Sequence, residues 1–316
     1  MEEKMEITNL LQNKQLLEHE LQSLTYGSVE IRENNSNKYI YVHYREDGIA
    51  LSKYVGEYSD ELYNLVLNNS IKAKDLKKQI REINKKLKQL NYTEEELSEK
   101  VEQNIDFAKR HLVDTIYKQA ILEGVATTFA DTENIIEGGK VNNMTSEDII
   151  KIVNLKHAWE FILNKNVILS DTNFALLCEI NKMVEEGFYY SAGKVRKVPV
   201  TIGGTMWKPD LPIESVIKEG LEEIFNRKMN DVDRAIELLL YTMKRQIFID
   251  GNKRTSVIYC NHYLISKGKG IIAIPAELTE EFKDLLIPFY EGKDEKQIKR
   301  FIKEKCYINV NGDVDF

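Results

Sequence analysis

The sequence of 316 residues has few cysteines and no long apolar run, and both absences exclude classes of protein. The three cysteines, Cys178, Cys260 and Cys306, are far apart and form no CxxC pair, which argues against a disulfide framework and against a zinc site. No apolar stretch approaches the roughly 18–20 residues that a transmembrane helix needs. The N-terminus also lacks the apolar segment of a secretory signal peptide. We therefore expect a reduced, cytoplasmic protein without membrane contact.

The composition is that of a soluble globular protein, with 42% hydrophobic and 30% charged residues. The net charge of −7 gives no general reason to expect a nucleic-acid partner. Residues 71–90 are locally basic, with eight Lys or Arg side chains against two acidic ones. A basic helical face can contact phosphates, but the solvated surface of a coiled coil has the same pattern. We favour the solvated surface and expect no nucleic-acid binding.

Residues 1–92 are predicted to form a separate module of two heptad helices and a small β-sheet. Leu10, Leu17 and Leu24 repeat at seven-residue intervals, as in a coiled-coil seam. Residues 27–56 then alternate in a β-like pattern with plausible turns. A second seam steps by three and four residues: Leu62, Val66, Asn69, Ala73, Leu76, Ile80, Ile83, Leu87 and Leu90. We expect an antiparallel coiled-coil hairpin with a β-meander at its tip, which could also pair with a partner protein or a second copy of the chain.

Residues 93–316 are predicted to form a second, mostly α-helical domain. Thr93 with Glu96 three residues later is a capping box, so a helix is expected to begin there. Later helices are predicted at about 147–165, 174–187, 213–227, 231–247, 253–267, 278–290 and 294–305. The expected N-caps of the first two are Thr145 or Ser146 and Asp171 or Thr172.

One segment of the second domain breaks the helical pattern. Val198, Val200 and Ile202 alternate with other residues and precede Gly203-Gly204, a hairpin turn signal, and prolines follow in the next residues. The pattern predicts an exposed β-hairpin over residues 197–208.

The sequence Asp-Gly-Asn-Lys-Arg at residues 250–254 connects two predicted helices, and it predicts a phosphate site. Gly251 allows the backbone to approach a ligand closely, and the first turn of the second helix offers unpaired N–H groups. Lys253 and Arg254 place cations where the helix dipole alone disfavours them. Asp250 beside phosphates suits Mg²⁺, which takes a carboxylate or two together with phosphate oxygens. The alternative is an Asx-type turn between helices with two solvated basic side chains.

The same stretch resembles the signature of the Fic/Doc (Fido) family, His-x-Phe-x-(Asp/Glu)-Gly-Asn-Gly-Arg, in which the Doc-like branch has Lys in place of the last Gly. Residues 119–128 resemble the inhibitory helix of the family, with Glu123 as the inhibitory glutamate. Residues 193–204 resemble the flap that holds a target peptide. The matching motif residues are Phe248, Asp250, Gly251, Asn252, Lys253 and Arg254, and the flap positions are Val198, Val200, Thr201 and Ile202.

The resemblance covers about residues 95–305 and implies a Fic-type helical core that binds ATP and Mg²⁺. The activity it implies is transfer of AMP, or of a phosphoryl group in the Doc-like branch, to a Ser, Thr or Tyr hydroxyl of a protein target. It assigns the nucleotide to Gly251, Asn252, Lys253 and Arg254, and Mg²⁺ to Asp250.

Departures from the family pattern leave two functions open. Gln246 replaces the motif His that takes the proton of the target hydroxyl, and a carboxamide cannot accept a proton near neutral pH. A positioned base contributes ~10²–10⁴-fold to a rate. Val257 replaces a second motif Arg, so Glu123 lacks its usual partner and is either paired with Lys253 or Arg254 or an ordinary surface residue. The chain is thus either a transferase weakened at Gln246, or a pseudoenzyme acting as a nucleotide- or protein-binding regulatory module.

Overall fold

A computed structural model of the chain describes residues 2–34, 37–46, 49–90, 92, 97–142 and 144–310. The chain divides into two compact units, Met1–Glu95 and Glu96–Phe316. Most described residues are helical, and a three-stranded antiparallel sheet lies in the first unit. The predicted class, a mostly α protein with a small N-terminal sheet, is confirmed. The capping box predicted at Thr93 and Glu96 lies outside the described residues.

The first unit is an antiparallel pair of helices with a β-meander between them. Leu11 of the first helix packs with Ile83 and Leu87 of the second, while Glu20 pairs with Lys72, so the two helices run in opposite directions. The buried contact residue of α1 is Leu11, which lies next to Leu10 of the predicted seam, and Leu10 and Leu17 are partly buried beside it. The elements are α1 (Glu2–Ser23), β1 (Ser28–Asn34), β2 (Asn37–Glu46), β3 (Ile49–Glu57) and α2 (Asp60–Gln89).

The second unit packs its helices around one buried helix, α11 (Asn252–Ser266), of whose fifteen residues thirteen are buried. The helices before α11 are α3 (Glu99–Arg110), α4 (Leu112–Leu122), α5 (Phe129–Ile136), α6 (Ser146–Ile162), α7 (Lys165–Ile168), α8 (Phe174–Val184), α9 (Glu214–Asn226) and α10 (Asp231–Arg245). Those after it are α12 (Thr279–Tyr290) and α13 (Glu295–Phe301), followed by a π-helical turn, and β4 (Ile271–Ile272) pairs with β5 (Tyr307–Ile308). Helix α11 contacts α3, α6, α7, α8 and α10, so it is held from several sides.

The N-caps predicted for α6 and α8 have different outcomes in the structure. The Thr145 side chain accepts from the backbone N–H of Asp148 at 3.1 Å, so the predicted cap of α6 is correct. Helix α8 is capped by Asn173, so the prediction of Asp171 or Thr172 is wrong. The hydroxyl of Thr172 does not cap the helix; it is hydrogen-bonded to the ring of His262 at 2.8 Å.

His262 is a structural residue in the core of α11. Its Nδ1 is bonded to the Thr172 hydroxyl and its Nε2 to the carbonyl of Val167, each at 2.8 Å. Burial lowers the pKa of this imidazole to about 4, so the ring is neutral at physiological pH. Both nitrogens are occupied within the core, which excludes His262 as the base missing at position 246.

The predicted β-hairpin at 197–208 is wrong, because no residue from 193 to 212 is in a strand. A turn does form at Gly203-Gly204, where Gly204 has φ +83. Pro199 lies in the first predicted arm and Pro209 directly follows the second, and proline has no N–H to donate to a strand ladder. A two-stranded hairpin is also marginal without further partners. The segment is instead an extended loop tied to the rest of the unit by side chains.

Candidate functional site

A tight loop between α10 and α11 contains the motif residues. It begins at Gln246, which has left-handed backbone geometry (φ 44) and is the only non-glycine residue with positive φ in the described part of the chain. This geometry ends α10 at Arg245, two residues before the predicted end. Asn252 closes the loop: its Oδ1 accepts from the N–H of Phe248 at 3.0 Å, and its Nδ2 donates to the Phe248 carbonyl at 2.9 Å. The amide assigned to phosphate binding therefore holds the loop in shape.

Asn181 of α8 ties this loop to the segment that resembles the flap. Its Nδ2 donates to the carbonyl of Asp250 at 3.0 Å and to the hydroxyl of Thr255 at 3.1 Å. Its Oδ1 accepts from the N–H of Gly193 at 2.8 Å. One buried amide thus fixes the positions of the motif loop, the start of α11 and the start of the flap segment.

Arg196 holds both arms of the flap segment against the motif loop. Its Nε donates to the carbonyl of Gln246 at 2.6 Å, and its backbone N–H donates to the carbonyl of Ile247 at 2.9 Å. Its Nη1 donates to the carbonyl of Val198 at 2.8 Å and its Nη2 to that of Asp210 at 2.6 Å. The guanidinium is buried, which lowers its pKa. This side chain replaces the strand ladder that the sequence predicted.

The four predicted flap positions have different surroundings. Val198 and Thr201 are exposed, whereas Val200 and Ile202 are half-buried and Ile202 packs against the core. Farther along the segment, the hydroxyl of Thr205 donates to Glu291 just beyond α12 at 2.7 Å. The segment therefore lies beside the motif loop at its start and on the end of α12 at its turn.

Arg254 is a buried cation at the start of α11, and three carboxylates lie near it. Its Nη2 is 2.9 Å from Glu185 Oε1 and 3.7 Å from Asp250 Oδ1, and its Nε is 3.8 Å from Glu123 Oε1. The same Glu123 oxygen is 3.6 Å from Nζ of Lys253. Sequence reasoning left open whether Glu123 pairs with these cations, and the structure places it beside both.

The hydrogen-bonding capacity of this cluster is not filled. Nε and Nη1 of Arg254 and Oε1 of Glu185 are buried and have no hydrogen-bond partner. Most buried polar groups in proteins do have one, and an unpartnered buried group is costly. A guanidinium with free buried donors next to the first turn of a helix is suited to an anion that accepts hydrogen bonds.

Sequence reasoning missed Glu185, the carboxylate closest to Arg254. It follows the last residue of α8, and Nδ2 of Asn154 on α6 donates to the carbonyls on either side of it, Val184 at 3.2 Å and Glu186 at 2.8 Å. The dipeptide Glu-Glu before a glycine is typical of an exposed helix end, so no local signal marks it.

Gly251 and Glu185 are in close approach, since a Cβ at position 251 would overlap the Glu185 carboxylate. Gly251 also has φ +72, so both space and backbone geometry require glycine there. Burial raises the pKa of Glu185 to about 7, and Arg254 opposes that rise.

The side chains of Gln246 and Gln119 both form hydrogen bonds within the protein. Nε2 of Gln246 donates to the carbonyl of Met243 at 2.7 Å, so its amide is turned back onto the last turn of α10. Nε2 of Gln119 donates to the carbonyl of Arg254 at 2.7 Å and its Oε1 accepts from Trp159 at 2.9 Å. Gln119 therefore fixes α4, which ends next to Glu123, against α11.

Asp250 fits the role of a single carboxylate ligand for Mg²⁺. Its side chain is 51% exposed at the edge of the site, and its Oδ1 accepts from the N–H of Gly251 at 2.7 Å. Within the described residues, no three His, Cys, Asp or Glu side chains form a metal-binding group. The residues present therefore suit an ion that receives its other ligands from phosphate and water.

A cavity of about 830 Å³ lies between α9, α10 and α12, and Trp207, Pro209 and Asp210 line part of it. Trp207 of the segment stacks on Tyr290 at its wall, with ring centroids 5.5 Å apart. It reaches Lys244 and Arg245 of α10 but none of residues 246–254, so it is separate from the cation site.

Comparison with known proteins agrees with this geometry. Residues 171–264, from just before α8 into α11, match the sequence model of the Fic/DOC family. The resemblance inferred from the motif is confirmed. No curated protein matches the chain.

Solved structures with a similar fold include two Fic proteins. A Fic domain-containing signaling protein from Bacteroides thetaiotaomicron superposes with a TM-score of 0.50 at 18% identity, covering 58% of this chain and 74% of that one. Fic-1 from C. elegans superposes with a TM-score of 0.52 at 15% identity, covering 77% of this chain and 80% of that one. At such low identity these likenesses establish the fold alone. Among the described helices, none has the length and apolar character to cross a membrane.

Substitution of Arg196 tests whether this side chain holds the flap segment against the motif loop. We expect Arg196→Ala to lower the free energy of unfolding by about 3 kcal/mol, because several carbonyls would lose a charged donor in a buried site. The measurement is urea unfolding followed by circular dichroism. The control is Lys197→Ala, an exposed neighbour whose loss should change stability by less than about 0.5 kcal/mol. Equal stabilities of the two variants would mean that Arg196 does not hold the segment.

Proposed function

We propose that the second unit is a Fic-type transferase module that binds ATP with Mg²⁺ and transfers AMP, or a phosphoryl group, to a hydroxyl of a protein target. The buried Arg254 with unfilled donors is the observation that supports the binding step. The transfer step is weakened in this proposal because Gln246 stands where the family has its base.

The nucleotide phosphates would lie at the start of α11, against Arg254 and Lys253. Arg254 is the main group because its planar guanidinium can make paired, charge-assisted hydrogen bonds to phosphate oxygens, whereas Lys253 is a mobile point charge. Lys253 is half-buried and points toward Glu123. Asp250 would hold Mg²⁺, which neutralises phosphate charge when bound.

Proton transfer is the weak step in this site. If AMP is transferred, the target oxygen bonds to the α-phosphorus, the bond from the α-phosphorus to the oxygen that bridges to the β-phosphate breaks, and pyrophosphate leaves, while the hydroxyl proton must pass to a base or to solvent. Gln246 cannot take that proton, since its amide is not basic near neutral pH. Its NH₂ group is also engaged with the Met243 carbonyl. We therefore expect slow transfer with the proton lost to solvent.

The second candidate is a regulatory module that binds nucleotide without turnover. The geometry of Gln246 favours it, because the side chain caps its own helix instead of pointing free toward a substrate. Both candidates share the phosphate site, and they differ in whether a protein hydroxyl is ever modified.

The phosphate site predicts that Arg254→Ala lowers the affinity for ATP with Mg²⁺ by about 10- to 100-fold, the value of one or two hydrogen bonds to a charged group. Isothermal titration calorimetry measures it. The affinity of Arg254→Lys should lie between those of wild type and Arg254→Ala, because lysine keeps the positive charge but lacks the paired N–H groups of the guanidinium. The control is Arg245→Ala, an exposed arginine of α10 that stacks on Tyr241. Equal affinities of wild type and Arg254→Ala would show that residues 250–254 are only a turn.

The weakened transfer step predicts that Gln246→His increases labelling of protein from ATP. An imidazole accepts a proton near pH 7, and a positioned base gives ~10²–10⁴-fold. We expect a partial gain, since Ile247 stands where the family often has Pro. The measurement uses ATP labelled at the α- or the γ-phosphate, which also separates AMP transfer from phosphoryl transfer.

Two further variants make that labelling test decisive. Arg245→His places an imidazole one residue earlier on the exposed side of α10 and should change nothing. Gln246→His combined with Arg254→Ala should lose the gain, because the phosphates are no longer held. Labelling by wild type that persists in Gln246→Ala would point to a base elsewhere in the chain.

A further inference from the structure

We propose that Glu185 is an internal competitor for the phosphate: its carboxylate occupies Arg254 in the ligand-free protein and sets how tightly a phosphate can bind. This inference rests on the phosphate site proposed above. It concerns a residue outside the motif, on a helix that lies between the inhibitory-helix segment and the flap segment in the sequence. Three features of Glu185 support the proposal: its distance to Nη2 of Arg254, the alignment of that contact, and the fixed backbone that carries it.

The position of Glu185 obstructs paired hydrogen bonding by Arg254. A guanidinium offers two edges for a bidentate contact, Nε with Nη2 and Nη1 with Nη2, and both include Nη2. Glu185 Oε1 is 2.9 Å from that nitrogen. A phosphate that binds either edge therefore meets the carboxylate directly, and two like charges in a buried site repel strongly.

The contact between Glu185 and Arg254 is poorly aligned, so a phosphate could displace the carboxylate from Nη2. Although Oε1 of Glu185 is close to Nη2, it makes no hydrogen bond, and Nε and Nη1 of Arg254 are left without acceptors. A carboxylate that served to brace the guanidinium would take a well-aligned pair of N–H groups. A phosphate with three terminal oxygens could fill the donors that Glu185 leaves unused.

The backbone of Glu185 is fixed, so its carboxylate stays close to the site and its charge acts on a ligand even when a phosphate takes its place at Nη2. Its backbone is fixed by Asn154 on both sides, and Gly251 lies against its carboxylate. Glu123, by contrast, is 3.8 Å from Nε of Arg254 and more exposed than Glu185. Glu185, not Glu123, should therefore be the stronger of the two competitors.

The test compares the affinities of full-length variants for ATP with Mg²⁺ by calorimetry at about pH 8, above the pKa of about 7 to which burial raises the Glu185 carboxyl. Glu185→Gln keeps the shape and removes the charge, and we expect about tenfold or greater tightening. Glu123→Gln should tighten binding less. The matched control is Glu186→Gln, the exposed neighbour, which should bind like wild type.

The outcomes test the competitor role of Glu185 and the phosphate site separately. Binding by wild type with equal or weaker binding by Glu185→Gln overturns the competitor role and leaves the phosphate site intact. Binding by Glu185→Gln alone supports the competitor role in its strongest form. Absence of binding by every variant removes the phosphate site itself. If Glu185→Gln does not fold, Glu185→Asp, whose shorter side chain withdraws the charge from Nη2, should also tighten binding, and weaker binding would contradict the proposal.

Discussion

The structure of the second unit depends on one buried cation, Arg254, at the N-terminal turn of its central helix. A buried charge is costly unless it is paired, and the fold brings carboxylates to Arg254 from the end of α8, the end of α4 and the motif loop. The surrounding amides serve this arrangement: Asn181 fixes the loop, Asn154 fixes the backbone on both sides of Glu185, and Gln119 fixes α4. These contacts leave donors of the cation unfilled, which is the physical basis for proposing an anionic ligand.

The chain keeps the binding half of the Fic motif and changes the proton-transfer half. In the proposed function, Arg254 would bind phosphate and Asp250 would bind Mg²⁺, whereas the amide of Gln246 bonds to the last turn of α10. His262 is neutral and bonded inside the core, so it does not replace the missing base. Under the two proposals, ligand affinity and chemical turnover are separable properties of this site, and Glu185 would adjust the affinity without the turnover.

The sequence was sufficient for features set by local periodicity and insufficient for those set by contacts between distant residues. Apolar spacing predicted most helices and the N-terminal helix pair, and the loop motif predicted the junction of α10 and α11. The hairpin prediction failed because Pro199 interrupts the first arm and because the Arg196 side chain supplies hydrogen bonds to the carbonyls of Val198, Asp210 and the distant Gln246 instead. Glu185 could not be found from sequence, since only the packing of α8 against the loop brings it to Arg254.

The most direct test of the central claim is a crystal structure of the protein with ATP and Mg²⁺. A phosphate oxygen within hydrogen-bonding distance of Nη2 and a second donor of Arg254, with the Glu185 carboxylate displaced from Nη2, is the predicted result. Nucleotide bound elsewhere, for example in the cavity beside Trp207, with the contact between Arg254 and Glu185 unchanged at 2.9 Å, would contradict it.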